Sequence, residues 1–142
     1  MIGLVCEHLT SGHITAIDRS PKMAKAAILA NQQHIDGGRA TVLNQDLLES
    51  KLRPDSFDKI FLFNINAFWM DPVSELAEIR RLLSSNGEFL IFHQPPPDHD
   101  INEFVDAFRS NLEKTDFEVT SAKVSQVGSK DMACVISRPS PQ

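Results

Sequence analysis

The chain has 142 residues, the usual size of one domain and enough for a sizeable core. Its 14 Lys and Arg are scattered among 19 Asp and Glu, and the net charge of −5 excludes the basic field of a general nucleic-acid binder. Cys6 and Cys134 stand far apart without metal-ligand spacing, no apolar run is long enough to span a membrane, and the start carries Glu7 without a basic flank, so a reduced, cytoplasmic protein without a leader or a bound metal is the expectation.

Ile2, Val5, Cys6 and Leu9 recur at i, i+3, i+4 and i+7 and predict an opening amphipathic helix that stops near Gly12. Ile14, Ala16 and Ile17 make a short strand, and Asp18 ends it. Ser20 is a good N-cap and Pro21 suits the first helical position, so a helix is predicted from Pro21 to about Ile35, with Met23, Ala26, Ala27 and Ala30 on one face. Gly37-Gly38 closes it. Ala40 to Gln45 reads as a second strand, again ended by an acid, Asp46.

After Asp58 and Lys59, the run Ile60-Phe61-Leu62-Phe63 reads as a strand covered on both faces. Asn64, Asn66, Phe68 and Trp69 follow its end. Asp71-Pro72 opens another helix with Val73, Leu76, Ile79 and Leu83 inward. Asn86-Gly87 turns the chain into a strand from Glu88 to His93. A proline-rich loop, Gln94 to Asp100, comes next. Asp100 with Glu103 resembles a capping box, and Ile101, Phe104, Val105, Phe108 and Leu112 form the clearest helical stripe. Phe117 to Val127 and Met132 to Ser137 are strand-like, and the short link between them allows only an antiparallel hairpin.

Alternating helices and strands imply an α/β fold with a mostly parallel sheet, right-handed crossovers and helices on both faces. The expected architecture is a three-layer α/β/α sandwich over residues 1–138, closed by the hairpin, with 139–142 as a tail. In such sheets ligands bind beyond the carboxyl ends of the strands, and an acid there can accept from both hydroxyls of a ribose. Asp18 occupies that position; its alternative role is that of a turn residue.

The set Asp18 after His-Ile-Thr-Ala-Ile, then Ser-Pro-Lys-Met, Asp46-Leu47-Leu48, Ser56-Phe57-Asp58-Lys59-Ile60-Phe61 and Leu76-Ala-Glu-Ile-Arg-Arg-Leu-Leu83 ahead of Gly87 resembles the Rossmann-like class I S-adenosylmethionine-dependent methyltransferases. The resemblance covers nearly the whole chain, and its strength lies in the order of the pieces. It implies that S-adenosylmethionine is the cofactor, with Asp18 accepting from the ribose. Arg19, Ser20 and Met23 would border the adenine, Met23 as a soft apolar contact. Asp46 would accept from the adenine amino group and the Leu47 N–H would donate to the ring. Asn64 would lie near the methionine part, and Phe68, Trp69 and His93 would face the substrate. Methyl transfer from a sulfonium needs little acid–base help, so in-line positioning in a water-poor pocket carries the reaction and no catalytic dyad is expected. Asn64-Ile-Asn-Ala-Phe departs from the Asn-Pro-Pro-aromatic signature of nucleic-acid amino methyltransferases, which leaves a small-molecule acceptor as the expected partner.

One feature departs from the family. A strand and a Gly-x-Gly turn normally precede the first helix, and here the chain reads Met1-Ile2-Gly3, with Gly3 as the one remnant. That strand sits mid-sheet, between the strand ending at Asp18 and the one starting near Ile60. Its burial would contribute several side chains at about 1.5–3 kcal/mol each. Three remedies follow: the two neighbours pair directly, a second copy completes the sheet as a homodimer, or the chain is a shortened form of a longer enzyme. Two other function classes stay open: a non-catalytic interaction module that keeps the fold, and a nicotinamide-dependent oxidoreductase. The chain has no tyrosine, which excludes a short-chain dehydrogenase Tyr/Lys pair.

Overall fold

The computed structural model describes residues 1–64 and 70–142; Asn66, Phe68 and Trp69 lie outside the described residues. The chain forms two compact units, Met1–Lys51 and Leu52–Gln142.

The first unit contains α1 (Ile2–His8), β1 (Ile14–Ile17), α2 (Pro21–Ala30), α3 (Gln32–Asp36), β2 (Ala40–Leu43) and a 3-10 turn at Leu47–Glu49. β1 and β2 pair in parallel, Ile14 with Ala40 through Ile17 with Leu43. α1 buries Cys6, as its spacing predicts. Its last carbonyls have no partner within the helix, and the Arg39 guanidinium supplies one: Nη2 donates to the Cys6 and Leu9 carbonyls at 2.6 and 2.5 Å. The helix expected from Pro21 to Ile35 is broken at Asn31, which leaves helical geometry at φ −126° and ψ 20°. The Asn31 amide donates to the Ala27 carbonyl at 2.8 Å, a local bond that competes with the helical ladder. The expected apolar face is also corrected: α2 buries Ala24, while Met23 is 56% exposed.

The second unit contains β3 (Phe57–Phe63), α4 (Val73–Leu82), β4 (Leu83–His93), α5 (Ile101–Lys114), β5 (Phe117–Val127) and β6 (Lys130–Pro139). Its sheet runs β3-β4-β6-β5. β3 and β4 are parallel; β6 is antiparallel to both β4 and β5, so the terminal hairpin forms as the short link requires. β4 starts earlier than its apolar run, at Leu83, because Leu83 pairs with Phe57 across a bulge before the main ladder begins at Lys59 and Glu88. Gly87 fits this corner because a Cβ would stand 2.8 Å from Leu83 Cδ2 and 3.0 Å from the Ser84 carbonyl oxygen.

One sheet face carries much of the core. Phe89, Ile91 and His93 of β4 pair with Ser137, Val135 and Ala133 of β6, and all six are buried. α5 buries Ile101, Phe104, Phe108 and Leu112, the stripe read from sequence. Burying each large apolar side chain contributes about 1.5–3 kcal/mol.

The fold is mixed α/β and Rossmann-like, but the strands form two ladders rather than one. Among the described residues β1 pairs with β2, and β3 pairs with β4.

Candidate functional site

In the first unit the parallel register brings the carboxyl ends of β1 and β2 together. The Asp18 N–H donates to the Leu43 carbonyl at 3.0 Å, and the Asn44 amide donates to the Asp18 carbonyl at 3.0 Å. Beyond β1, Asp18 Oδ1 accepts from the Ser20 N–H at 2.8 Å, and Ser20 Oγ caps α2 by accepting from the Met23 N–H. This sets Asp18, Arg19, Ser20 and Met23 on one short turn, with Arg19 and Met23 exposed and Asp18 half-buried. Beyond β2, Asp46 Oδ1 accepts from the Leu48 N–H at 2.9 Å and caps the 3-10 turn that begins at Leu47. Each acid thus spends one oxygen on its own turn. Neither Oδ2 has a hydrogen-bond or ion-pair partner among the described residues, which leaves a charged acceptor on each strand tip. Two such acceptors on adjacent parallel strands fit hydroxyl and amine donors, the chemistry of a nucleoside.

In the second unit Asn64 lies just past β3 at φ +53°, a left-handed conformation that asparagine adopts more readily than most residues. Its N–H donates to the Phe92 carbonyl and its Oδ1 accepts from the Gln94 N–H at 2.7 Å. It ties the carboxyl ends of β3 and β4 together, and its side-chain NH2 has no hydrogen-bond partner among the described residues. His93 ends β4 and is 3% exposed, packed 4.5 Å from the Phe104 ring and 5.6 Å from Phe108 by centroid. Burial pushes its pKa below the usual histidine range, so the ring is neutral near pH 7. Phe68 and Trp69 are outside the described residues.

A cavity of about 620 Å³ opens at this same edge, between Pro95, Pro96 and Pro97 on one side and Gln126, Lys130 and Asp131 on the hairpin tip. β5 runs parallel to β4, so the hairpin tip lies at the carboxyl end of the sheet, where ligands bind in open α/β folds. From the sequence both segments read as plain connections. The signal that locates them was available: a hairpin antiparallel to its neighbour returns its tip to the edge where β4 ends. A second cavity, about 540 Å³, lies by Ser84, Ser85 and Asn86 at the amino end of β4. Among the described residues no three His, Cys, Asp or Glu side chains are grouped to hold a metal ion.

Parallel strands, helical crossovers and acids just past the carboxyl ends of β1 and β2 define a Rossmann-like α/β protein. Residues 2–91 match the family model described as a methyltransferase domain. The match spans more than half of the chain, which belongs to this methyltransferase family. Among solved structures, a SAM-dependent methyltransferase from Aquifex aeolicus is similar at a TM-score of 0.75 and 18% identity, covering 96% of this chain and 75% of that one. A geranyl diphosphate methyltransferase in complex with SAM is similar at 0.70 and 9% identity, with 96% and 73% covered. The cyclase SpnF is similar at 0.72 and 11% identity, with 99% and 70% covered. These likenesses establish the fold, and SpnF is a reminder that the fold alone does not name the reaction. No curated protein matches the chain.

Proposed function

We propose that this chain, over residues 1–138, binds S-adenosylmethionine and transfers its methyl group to a small-molecule acceptor. Family membership supports methyl transfer in general, and the observation that carries the cofactor reading is the uncommitted Asp18 Oδ2 at the tip of β1. Asp18 holds the ribose hydroxyls. Arg19, Ser20 and Met23 border the adenine, with Met23 exposed and free to cover a ring face. Asp46 and the Leu47 N–H read the adenine edge, and Asn64 serves the methionine part. When bound, the cofactor supplies an electrophilic methyl group on a sulfonium centre. The chain then needs to orient the acceptor and exclude water, and no side chain has to form a covalent bond. Phe68 and Trp69 are the acceptor-side candidates; His93, expected there too, is instead buried against Phe104 and Phe108 of α5 and presents no face to an acceptor. Two free thiols, Cys6 and Cys134, accord with a cytoplasmic location, and among the described residues no helix is long and apolar enough to cross a membrane.

A specific observation favours a second reading. Among the described residues β3, with its run Ile60–Phe63, has a ladder partner on one side only. A second copy of the chain that pairs with this edge would complete the ladder and make a homodimer, with the fold acting as an interaction module. Calorimetric titration with S-adenosylhomocysteine separates the readings. Saturable binding supports the enzyme; no binding at millimolar ligand to a folded chain leaves the module.

A further inference from the structure

Among the described residues two buried side chains, Ser50 and His93, carry polar atoms without a hydrogen bond, and His93 is the titratable one. It is 3% exposed, and neither ring nitrogen has a partner among the described residues. Buried polar groups are normally paired, and each exception calls for a physical reason. Its ring is packed against α5 by Phe104 at 4.5 Å and Phe108 at 5.6 Å, and Ala133 of β6 lies opposite it in the ladder. We infer that His93 is an acid-sensitive latch: protonation of its ring unseats α5 from the β4–β6 face.

The surroundings give the charged form nothing to lean on. Glu103, Asp106 and Arg109 of α5 are all exposed, on the far side of the helix from the buried stripe. On β6, Cys134 is one residue from Ala133, so it points to the opposite sheet face, and Lys123 is its cross-strand neighbour on β5. Asp131 and Lys130 are exposed at the hairpin tip. His99 is exposed and its ring stands 6.0 Å from that of Phe104. A proton on His93 therefore enters an apolar slot with no described carboxylate against it. With α5 seated the ring stays neutral; with α5 lifted it takes a proton at the ordinary histidine value. The open form binds more protons, so acid favours it. Below about pH 6.5 the seated state loses up to about tenfold in population per pH unit.

The device has a functional consequence. α5 follows directly on the Pro95–Pro97 wall of the carboxyl-edge cavity, and His99, Asp100 and Ile101 line that cavity too. Unseating α5 dismantles the wall, so acid would open the cavity.

The test uses the full chain, imidazole NMR and amide exchange corrected for its intrinsic pH dependence, from pH 7.5 to 5. The expected result is one imidazole, absent from a His93→Leu variant, that stays neutral until the buried amides of α5 lose protection. That protection should fall below about pH 6.5, by at most about tenfold per pH unit, in the parent chain and hold steady in His93→Leu. His93→Met serves as the second uncharged variant in case the leucine does not pack. A His93 ring that titrates near 6.5 while α5 keeps its protection would overturn the inference. So would an uncharged variant whose α5 protection follows the same pH dependence as the parent.

Discussion

Replacing Gly87 by alanine tests the corner that starts β4. The added Cβ would stand 2.8 Å from Leu83 Cδ2, 3.0 Å from the Ser84 oxygen and 3.2 Å from the Phe57 oxygen. The Leu83 methyl could shift, but Leu83 is 2% exposed in a packed core, and the two carbonyls belong to backbone, Phe57 being fixed by its pairing with Leu83. Overpacking of this kind costs about 1–3 kcal/mol. Alanine also restricts the unfolded chain, which offsets about 0.4–1 kcal/mol. The net expectation is a loss of about 1–2 kcal/mol. Urea unfolding followed by far-UV circular dichroism should show the midpoint drop by about 0.5–1 M at an ordinary slope. Ser85→Ala, on the exposed side of the same turn, should stay within about 0.5 kcal/mol of the parent. A Gly87→Ala protein as stable as the parent would refute the packing argument and with it the assigned start of β4.

Other expectations follow from the same reasoning. Leu76, 1% exposed on α4, should cost about 2–5 kcal/mol as Leu76→Ala, read as a fall in melting temperature. Ser20→Ala removes the α2 cap and should cost about 1 kcal/mol, with amide exchange rising first in the opening turn of that helix. The Glu88 carboxyl is held down to about 2 by the hydrogen bond from Lys59 and then that from Arg138. A depressed carboxyl contributes stability that is present above its unfolded pKa and is lost as the pH falls toward 2, so a carbon-13 titration should find Glu88 ionised at pH 3 while free glutamates are protonated.

Much of this fold is legible because the strongest signals are local. The α5 stripe, the hairpin and the Ser20-Pro21 start of α2 rest on spacing and on single turn residues, and each needs no knowledge of the rest of the chain; at the other expected start Asp71 makes no cap, and Pro72 itself stands at the N-cap of α4. The break at Asn31 was not legible: it comes from one side-chain amide choosing the Ala27 carbonyl, a competition that helical periodicity does not register. The exposure of Met23 shows the limit of apolar patterning, since a pattern says which residues share a face and not whether anything covers it. The site was legible to different depths. Asp18 and Asp46 stand where an acid after a strand must stand. The Asn64–Gln94 bond and the carboxyl-edge cavity depend on residues 30 or more positions apart in the chain and emerge only when β3, β4 and β6 lie side by side.

The measurement that tests the central claim most directly is a calorimetric titration of S-adenosylhomocysteine into the parent chain and into Asp18→Asn. The asparagine keeps an oxygen for the Ser20 N–H, so the turn survives, and it replaces the uncommitted acceptor with a donor. Charge-assisted hydrogen bonds contribute about 1.5–3 kcal/mol each. The account predicts saturable binding to the parent and at least about a tenfold loss of affinity in a variant with unchanged circular dichroism. Equal binding by both chains would contradict the role given to Asp18, and no binding by either would remove the enzyme reading.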